Sequence, residues 1–278
     1  MIHVLIVAFV PIALTAPPLQ VGPPKGAVVP ISVRIDGSSD LLPLTSALRN
    51  ALRDQSEDVD VALGAGLSAP AWLDALTSGA IDVALASHGF DRIDLAARGL
   101  VAHRFAVTAV VFAAHADVGR LDLKPDDICD VYSGKVTSWQ SLGGPSLPIR
   151  AFFRPDAEVD TEVARAALPC LKSLTPGPQV GIARTAGDMR VALQSTAGAV
   201  GLTTVAAVRQ SIVALRTLSL SSVPPTPENV LSGRYPLVKP AYFVTRATPS
   251  ASVTRFLDFV RGPRGAAAIL DAGALPAR

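Results

Sequence analysis

The sequence predicts an α/β fold in which helices pack against mostly parallel sheets. Short β-rich runs alternate with helical patterns along most of the chain, and that alternation is typical of parallel sheets. Apolar residues make up 49% of the 278 residues, enough for one large domain or two lobes with their own cores. The formal net charge is only +2 and no basic run stands out, which argues against nucleic-acid binding.

The first strands and helices are predicted between residues 28 and 88. Strands are expected in "VVPISVRIDG", "DVDVAL" and "AIDVALAS", with helices in "LLPLTSALRNAL" and "APAWLDALTSG". Ser38, Ser39 and Asp40 have N-cap chemistry at the start of the first helix. Ligands of parallel sheets bind beyond the carboxyl ends of the strands. The candidate ligand-binding residues at those ends are Ser38, Ser39, Ser68, Ser87 and His88.

Two long apolar runs, near residues 105–114 and 236–245, are expected to be strands that cross between two lobes. The segments between them predict a helix in "KPDDICDVYS", a strand in "IRAFFRP", and helix, strand and helix in "TAGDMRVALQSTAGAVGLTTVAAV". Two helices close the chain. We therefore predict that residues 30–110 and 240–278 form lobe one and that residues 111–239 form lobe two.

The stretch "AFFRPDAEVDTEVARAAL" combines two opposed signals. A strand that delivers Arg154 to the start of a helix is typical of an anion site. Four acidic residues follow closely: Asp156, Glu158, Asp160 and Glu162. Arg154 either binds a ligand anion, pairs with a neighbouring carboxylate or bridges the lobes. The acidic residues either belong to a solvated helix start, which the helix dipole favours, or take part in the ligand site, for which Glu158 is the candidate.

The order of motifs resembles that of the substrate-binding proteins of phosphate ABC transporters, which have the type II periplasmic-binding-protein fold. The resemblance rests on "YSGKVTSWQSLGG", "GAVGLTTVAAV", "TPENVLSGRYPLVKPAYFVTR" and "FLDFVRGPRGAAAILDAGALP". It implies two α/β lobes, two crossover strands and a ligand held between the lobes. It also implies phosphate contacts from four loops, at Ser38 and Ser39, around Ser68, at Ser87 and His88, and after Arg154.

The fourth of these loops departs from the family pattern. In the family a Ser-Gly-Thr type of loop follows the arginine, whereas this chain has "PDAEVD". Ionised carboxylates offer no donors to an anion, and Pro155 has no N–H. The loop near Ser68 also gains Leu67, Pro70 and Trp72. We therefore expect a solute-binding protein of a transport system whose ligand is not free phosphate.

Three alternatives stay open at this point. The site could have been rebuilt to bind phosphate or another oxyanion. It could take a bulkier apolar or lipid-like molecule, since donors are lost and apolar side chains gained. The chain could also be a sensor or interaction module that has lost its ligand. In every case Trp72 and Trp139 are expected in the core, and His88 is expected to line the cleft or to respond to pH.

No catalytic, cofactor or metal signature is present in the sequence. We find no GxSxG, HExxH or P-loop pattern, and no pair of Cys or His residues has ligand spacing. The chain is therefore expected to have no enzyme activity, cofactor or metal. It is also expected to be a monomer. Its expected partners are a small ligand and a membrane transporter component.

Two further features concern export. "MIHVLIVAFVPIALTA" resembles the apolar region of a secretory signal or an uncleaved anchor, and a proline-rich linker follows up to residue 29. We expect a periplasmic or other extracytoplasmic location. Cys129 and Cys170 could form one disulfide in such a compartment. We expect two separate thiols instead, because pairing requires Cα atoms within about 7 Å.

Overall fold

The computed structural model describes residues 31–55, 59–87 and 90–277. The signal-like segment, the linker and His88 lie outside the described residues. The first half of the chain contains the expected strands and helices, with a third short helix before the long strand. These are β1 (Ile31–Gly37), α1 (Leu42–Arg53), β2 (Val59–Leu63), α2 (Ala69–Ser78), β3 (Val83–Ala86), α3 (Arg92–Ala97) and β4 (Leu100–His115).

The second half also follows the predicted order, with additional short strands. Its elements are β5 (Asp122–Leu123), α4 (Pro125–Ser133), β6 (Arg150–Phe153), α5 (Val159–Ala167), β7 (Gly181–Ile182), α6 (Ala186–Ser195), β8 (Ala199–Thr204), α7 (Val205–Arg209), β9 (Leu215–Thr217), β10 (Ser219–Leu220), α8 (Pro227–Leu231), β11 (Val238–Arg246), α9 (Ala251–Arg261), α10 (Pro263–Asp271) and β12 (Leu275–Pro276).

The main sheet runs in the order β2-β1-β3-β11-β4-β8-β6-β7. Pairing is parallel at both ends, where β1 pairs with β2 and β3, and β6 pairs with β7 and β8. The two long apolar strands lie in the middle and are antiparallel to their neighbours. The mixed α/β architecture agrees with the predicted fold class.

Two large apolar cores lie on either side of these central strands. One contains residues of β1, β2 and β3 together with α1, α9 and α10. The other contains residues of β6 and β8 together with α4, α5 and α6. β4 contributes Phe105 and Ala106 to the first core and residues 109–114 to the second. We propose that β4 and β11 are the crossovers between the two lobes, with the boundaries predicted from the sequence.

The two tryptophans confirm their expected place in the interior. Trp72 packs in a small cluster under α2, and Trp139 is buried in the second core. The Trp139 indole N–H donates to the Gly198 carbonyl oxygen at 2.9 Å, which satisfies its polar atom in the interior.

The expectation of two separate thiols is wrong. Cys129 of α4 and Cys170 form a disulfide, and their Cα atoms lie 6.1 Å apart, within the usual range for a disulfide. Cys170 lies in a single 3-10 turn, Pro169–Leu171, that follows α5. That turn brings the end of α5 back against α4, a tertiary contact that the spacing of the cysteines along the sequence does not reveal.

Candidate ligand site at the centre of the molecule

The turn after β1 is held tightly against the end of β3. Gly37 has a φ of +138°, and a Cβ atom there would come within 2.6 Å of the Leu85 backbone nitrogen. A glycine is therefore required for this close approach. The Ser38 N–H donates to the Leu85 carbonyl oxygen at 2.9 Å, which places Ser39 and Asp40 over the carboxyl end of the sheet.

Asp40 does not have the N-cap role expected from the sequence. α1 begins at Leu42 behind a 3-10 turn, Ser39–Leu41, and no side chain caps either of them. The Asp40 side chain instead turns inwards and accepts a hydrogen bond from the Lys239 ammonium. The Ser87 hydroxyl lies 3.5 Å from the same carboxylate.

Lys239 joins two parts of the chain that are far apart in sequence. It lies on β11, is 2% exposed, and donates to Asp40 and to Asp160 of α5, with Nζ 2.5 Å from the Asp160 carboxylate. Asp160 lies in the first turn of α5, where the helix dipole favours a carboxylate. A buried ammonium shared by two buried carboxylates therefore connects the turn after β1 to the start of α5.

Arg154 extends this network from the end of β6. Its guanidinium is 1% exposed and pairs with Glu158, while Nη1 lies 3.8 Å from the Asp160 carboxylate. The Thr161 hydroxyl donates to the Arg154 carbonyl oxygen at 3.2 Å and holds the loop against α5. Asp40, Arg154, Glu158, Asp160 and Lys239 thus form one central charge cluster.

The pKa shifts follow from burial and from the partners. Burial alone would raise the pKa of Asp40, but the Lys239 and Arg154 charges outweigh it and hold that pKa below its ordinary value. Burial alone would lower the pKa of Lys239, but the charges of Asp160 and Asp40 raise it above its ordinary value. Burial raises the pKa of Glu158, although the Arg154 guanidinium acts in the opposite direction.

Some polar atoms of the central charge cluster have no hydrogen-bond partner among the described residues. They are Nε and Nη1 of Arg154 and Oδ2 of Asp160. The Thr108 hydroxyl is also buried without a partner, and Thr108 is the cross-strand neighbour of Lys239. Buried polar atoms are normally satisfied, so this region has unused capacity for hydrogen bonds.

The residues predicted from the sequence are only partly brought together. Arg154, Glu158 and Ser87 meet in or beside the central charge cluster, and Ser39 lies at its edge. Ser38 contributes a backbone contact to β3, and the exposed Ser68 precedes α2 without capping it by its side chain. As sequence candidates for ligand contacts, these residues remain a proposal.

The interpretation of the acidic residues as a solvated helix start fails at one position. Asp156 is exposed and pairs with Arg165 at 2.8 Å, so it does not neutralise Arg154. Asp160 is buried and bound to Lys239. The role of Lys239 was not foreseen, although a single lysine within "YPLVKPAYFV" is a recognisable signal. A lysine in an otherwise buried strand requires a carboxylate partner.

A pocket of about 350 Å³ adjoins the central charge cluster; we refer to it as the α1–α6 pocket. On one side it is lined by the turn after β1, the start of α1 and the end of β2. On the other side it is lined by the first turns of α6, the end of β8, and α7 with the residue that follows it. Asp40 is common to the cluster and the pocket.

Within the part of the chain that the structure describes, no helix is long and apolar enough to cross a membrane. The same residues contain no group of three or more His, Cys, Asp or Glu side chains that could hold a metal ion.

Comparison with known proteins places this chain in a family. A family model described as "PBP superfamily domain" matches residues 23–264. The chain is 26% identical over 232 residues to "Phosphate-binding protein PstS" of Bacillus subtilis, covering 83% of this chain and 75% of the relative.

Solved structures of two binding proteins share the fold. A putative phosphate ABC transporter substrate-binding protein from Clostridium perfringens, solved with bound phosphate, has a TM-score of 0.71 at 21% identity and covers 89% of this chain and 100% of its own. A phosphate-binding protein from Stenotrophomonas maltophilia has a TM-score of 0.61 at 15% identity and covers 89% of this chain and 91% of its own. These matches confirm the resemblance drawn from the sequence motifs and the predicted binding-protein fold.

Proposed function

Because this chain belongs to the PBP superfamily, we propose that it is the solute-binding protein of a transport system. It would capture a small ligand between two lobes by hinge closure and present the closed form to a membrane transporter component. The relatives named as phosphate-binding proteins support this class of function. The proposal includes an extracytoplasmic location, which the Cys129–Cys170 disulfide favours, and a role in binding without enzyme activity.

We further propose that the ligand is not free phosphate. The observation that carries this proposal is that both buried cations of the central charge cluster already face carboxylates of the chain itself. Two cations, Arg154 and Lys239, stand against three carboxylates, so an added dianion would meet repulsion in a poorly hydrated site. Phosphate would have to displace Asp160 or Glu158 from the buried cations.

Phosphate binding is the competing proposal, and two observations favour it. The relatives named above are phosphate-binding proteins, and the C. perfringens structure contains bound phosphate. In this chain Nε and Nη1 of Arg154 are buried donors without partners, and they could serve an oxyanion if the carboxylates moved.

Isothermal titration with phosphate at neutral pH and moderate salt distinguishes the two proposals. We expect no micromolar binding by the wild-type protein, because losing two or three charge-assisted hydrogen bonds of about 1.5–3 kcal/mol each weakens binding by several powers of ten. The double variant Glu158→Ser and Asp160→Thr should gain measurable phosphate affinity.

The variant Glu162→Ser is a matched control, since it removes an exposed carboxylate from the same helix. It should leave phosphate binding as weak as in the wild type. Micromolar binding by the wild-type protein would overturn the proposal that phosphate is not the ligand, while the solute-binding function would stand.

A further inference from the structure

We infer that the ligand-binding site of this protein is the α1–α6 pocket and that its ligand is a short organic monocarboxylate with an apolar tail. The inference rests on the proposed function as a solute-binding protein, whose ligand it specifies. The volume of about 350 Å³ lies at the lower end of the range typical of small-molecule sites.

The walls of the α1–α6 pocket suit an apolar body. Leu42, Pro43 and Leu63 line one side, and Ala186 and Ala207 line the other. The amide of Gln210 donates to the Pro43 carbonyl oxygen, so the two sides are joined at the pocket wall. A ligand seated here would contact both sides at once, as closure of two lobes on a ligand requires.

Arg190 supplies a free cation to the same pocket. It lies on α6, lines the pocket and is exposed, and its guanidinium has neither an ion pair nor a hydrogen bond among the described residues. Arg154 and Arg165, in contrast, both pair with carboxylates. A guanidinium binds a carboxylate through two parallel hydrogen bonds, which gives the monoanion a defined orientation.

Thr203 independently indicates that the ligand carries a polar group. Its residue is 5% exposed and lines the pocket, but its hydroxyl makes no hydrogen bond in the described part of the chain. The adjacent Thr204 hydroxyl accepts from the Ala207 N–H at 3.2 Å and is therefore used as a helix cap. A hydroxyl without a protein partner, on a largely buried residue that lines an open pocket, can donate to a ligand carboxylate.

The floor of the pocket explains the preference for a single charge. Asp40 lines the pocket and is paired with Lys239, whose ammonium it shares with Asp160. A monoanion bound at Arg190 and Thr203 leaves this pair intact and places the apolar tail along the walls. A dianion such as phosphate has no apolar part to bury and would find one free cation rather than several.

The direct test titrates butyrate, hexanoate and octanoate into the full chain by calorimetry, with hexanamide as the uncharged analogue. We expect at least one acid to bind and hexanamide to bind more weakly. Arg190→Gln should weaken binding of that acid about 10- to 100-fold, which corresponds to a lost charge-assisted hydrogen bond. Thr203→Val, which keeps the shape and removes the hydroxyl, should weaken it by a smaller factor.

Two further variants separate the pocket from general effects of charge. Gly187→Leu fills the pocket, since a Cβ at Gly187 would meet only the Thr185 hydroxyl oxygen, at 3.5 Å; binding should be lost. Arg184→Gln removes an exposed charge near α6 from a residue that does not line the pocket, and binding should stay as in the wild type.

The outcomes distinguish the inference from the proposed function. Acids that bind wild type, Arg190→Gln and Gly187→Leu equally would place the ligand elsewhere and overturn the inference alone. Native mass spectrometry that finds another class of small molecule held by the purified protein would do the same. If no acid binds and no small molecule accompanies the protein, the inference fails; the proposed function fails as well only if the phosphate titration described above also shows no binding.

Discussion

Lys239 determines how charge is balanced in the interior of the protein. Its ammonium is shared by Asp40 and Asp160, both of which are buried. A buried ion pair adds little net stability compared with apolar residues of similar volume, but removing one partner leaves the other charge without compensation. Here the loss of one lysine would leave two buried carboxylates without the ammonium that they share.

Lys239→Met should therefore lower the free energy of unfolding by about 3–5 kcal/mol, measured by urea denaturation. Lys135→Met is the matched control, since Lys135 pairs with Asp130 at the surface and its side chain is 74% exposed. That exposed pair should contribute at most about 1 kcal/mol. A loss below 1 kcal/mol for Lys239→Met would contradict a buried, coupled role.

Glu158 gives the cluster a dependence on pH. Because burial raises its pKa above the ordinary value of 4.5, folding of the wild type takes up a proton as pH rises past that value. The stability contributed by this group is fully present below pH 4.5 and is lost as pH rises through the higher, folded-state pKa.

Glu158→Gln removes this titration, so its stability relative to the wild type should increase as pH rises from 4.5. Thermal unfolding at a series of pH values measures the difference. Glu228→Gln should show the opposite trend, and below pH 4.5, since hydrogen bonds to its own backbone N–H and to Thr226 lower the pKa of that exposed carboxylate. Parallel profiles for the two variants would refute the assignment.

At these positions the sequence was informative about residue type and less so about partners. Arg154 and Glu158 lie four positions apart, and their pairing follows from local spacing. Lys239 and Asp160 are separated by 79 positions, so only the tertiary fold brings them together. The local pattern around Asp40 predicts a helix cap, but its carboxylate binds the Lys239 ammonium instead.

Among the secondary-structure elements, the connection between α4 and the end of α5 is the one closed by a covalent bond. The disulfide joins residues 41 positions apart, and the enclosed segment includes β6 and Arg154. In the chain-entropy description, such a link restricts the unfolded chain more than the folded one.

The double variant Cys129→Ala and Cys170→Ala should lose about 4 kcal/mol of stability, as expected for a loop of this length. Chemical denaturation under matched conditions provides the measurement. The single variant Cys170→Ala should lose a similar amount, since either change opens the loop. A much smaller loss in both variants would show that the native contacts hold the segment without the bond.

Element positions were predictable because their patterns are local. The apolar strands, the glycine turn and the alanine-rich helix all occur where periodicity indicates. The start of α1 was not predictable from its local pattern. Ser38 and Ser39 have the chemistry of N-cap residues, but a 3-10 turn precedes the helix. The disulfide also depended on a tertiary contact that no local pattern encodes.

At the scale of the whole molecule, the central charge cluster links the two cores. Asp40 follows β1 of the first core, and Asp160 belongs to α5 of the second, with Lys239 between them. This arrangement lets the chain hold the two sides together through its own charges, in the manner in which a bound ligand would.

Asp40→Asn should therefore allow the two sides to separate and should increase the radius of gyration measured by small-angle scattering. A compact chain of this length has a radius of gyration of about 19 Å. Asp60→Asn changes an exposed carboxylate that pairs with Arg53 at 3.5 Å, and it should leave the radius unchanged. Identical radii for all three proteins would show that the cluster does not hold the two sides together.

The shared strand β4 has a consequence for how the protein unfolds. Its first part supplies Phe105 and Ala106 to one core, and its second part supplies residues 109–114 to the other. If either core unfolded alone, part of β4 would lose its hydrogen bonds to the neighbouring strands of that half. The apolar side chains packed there would become exposed to water. Intermediates with one half unfolded are consequently costly, and we expect the two halves to lose their structure in a single cooperative transition despite the size of the chain.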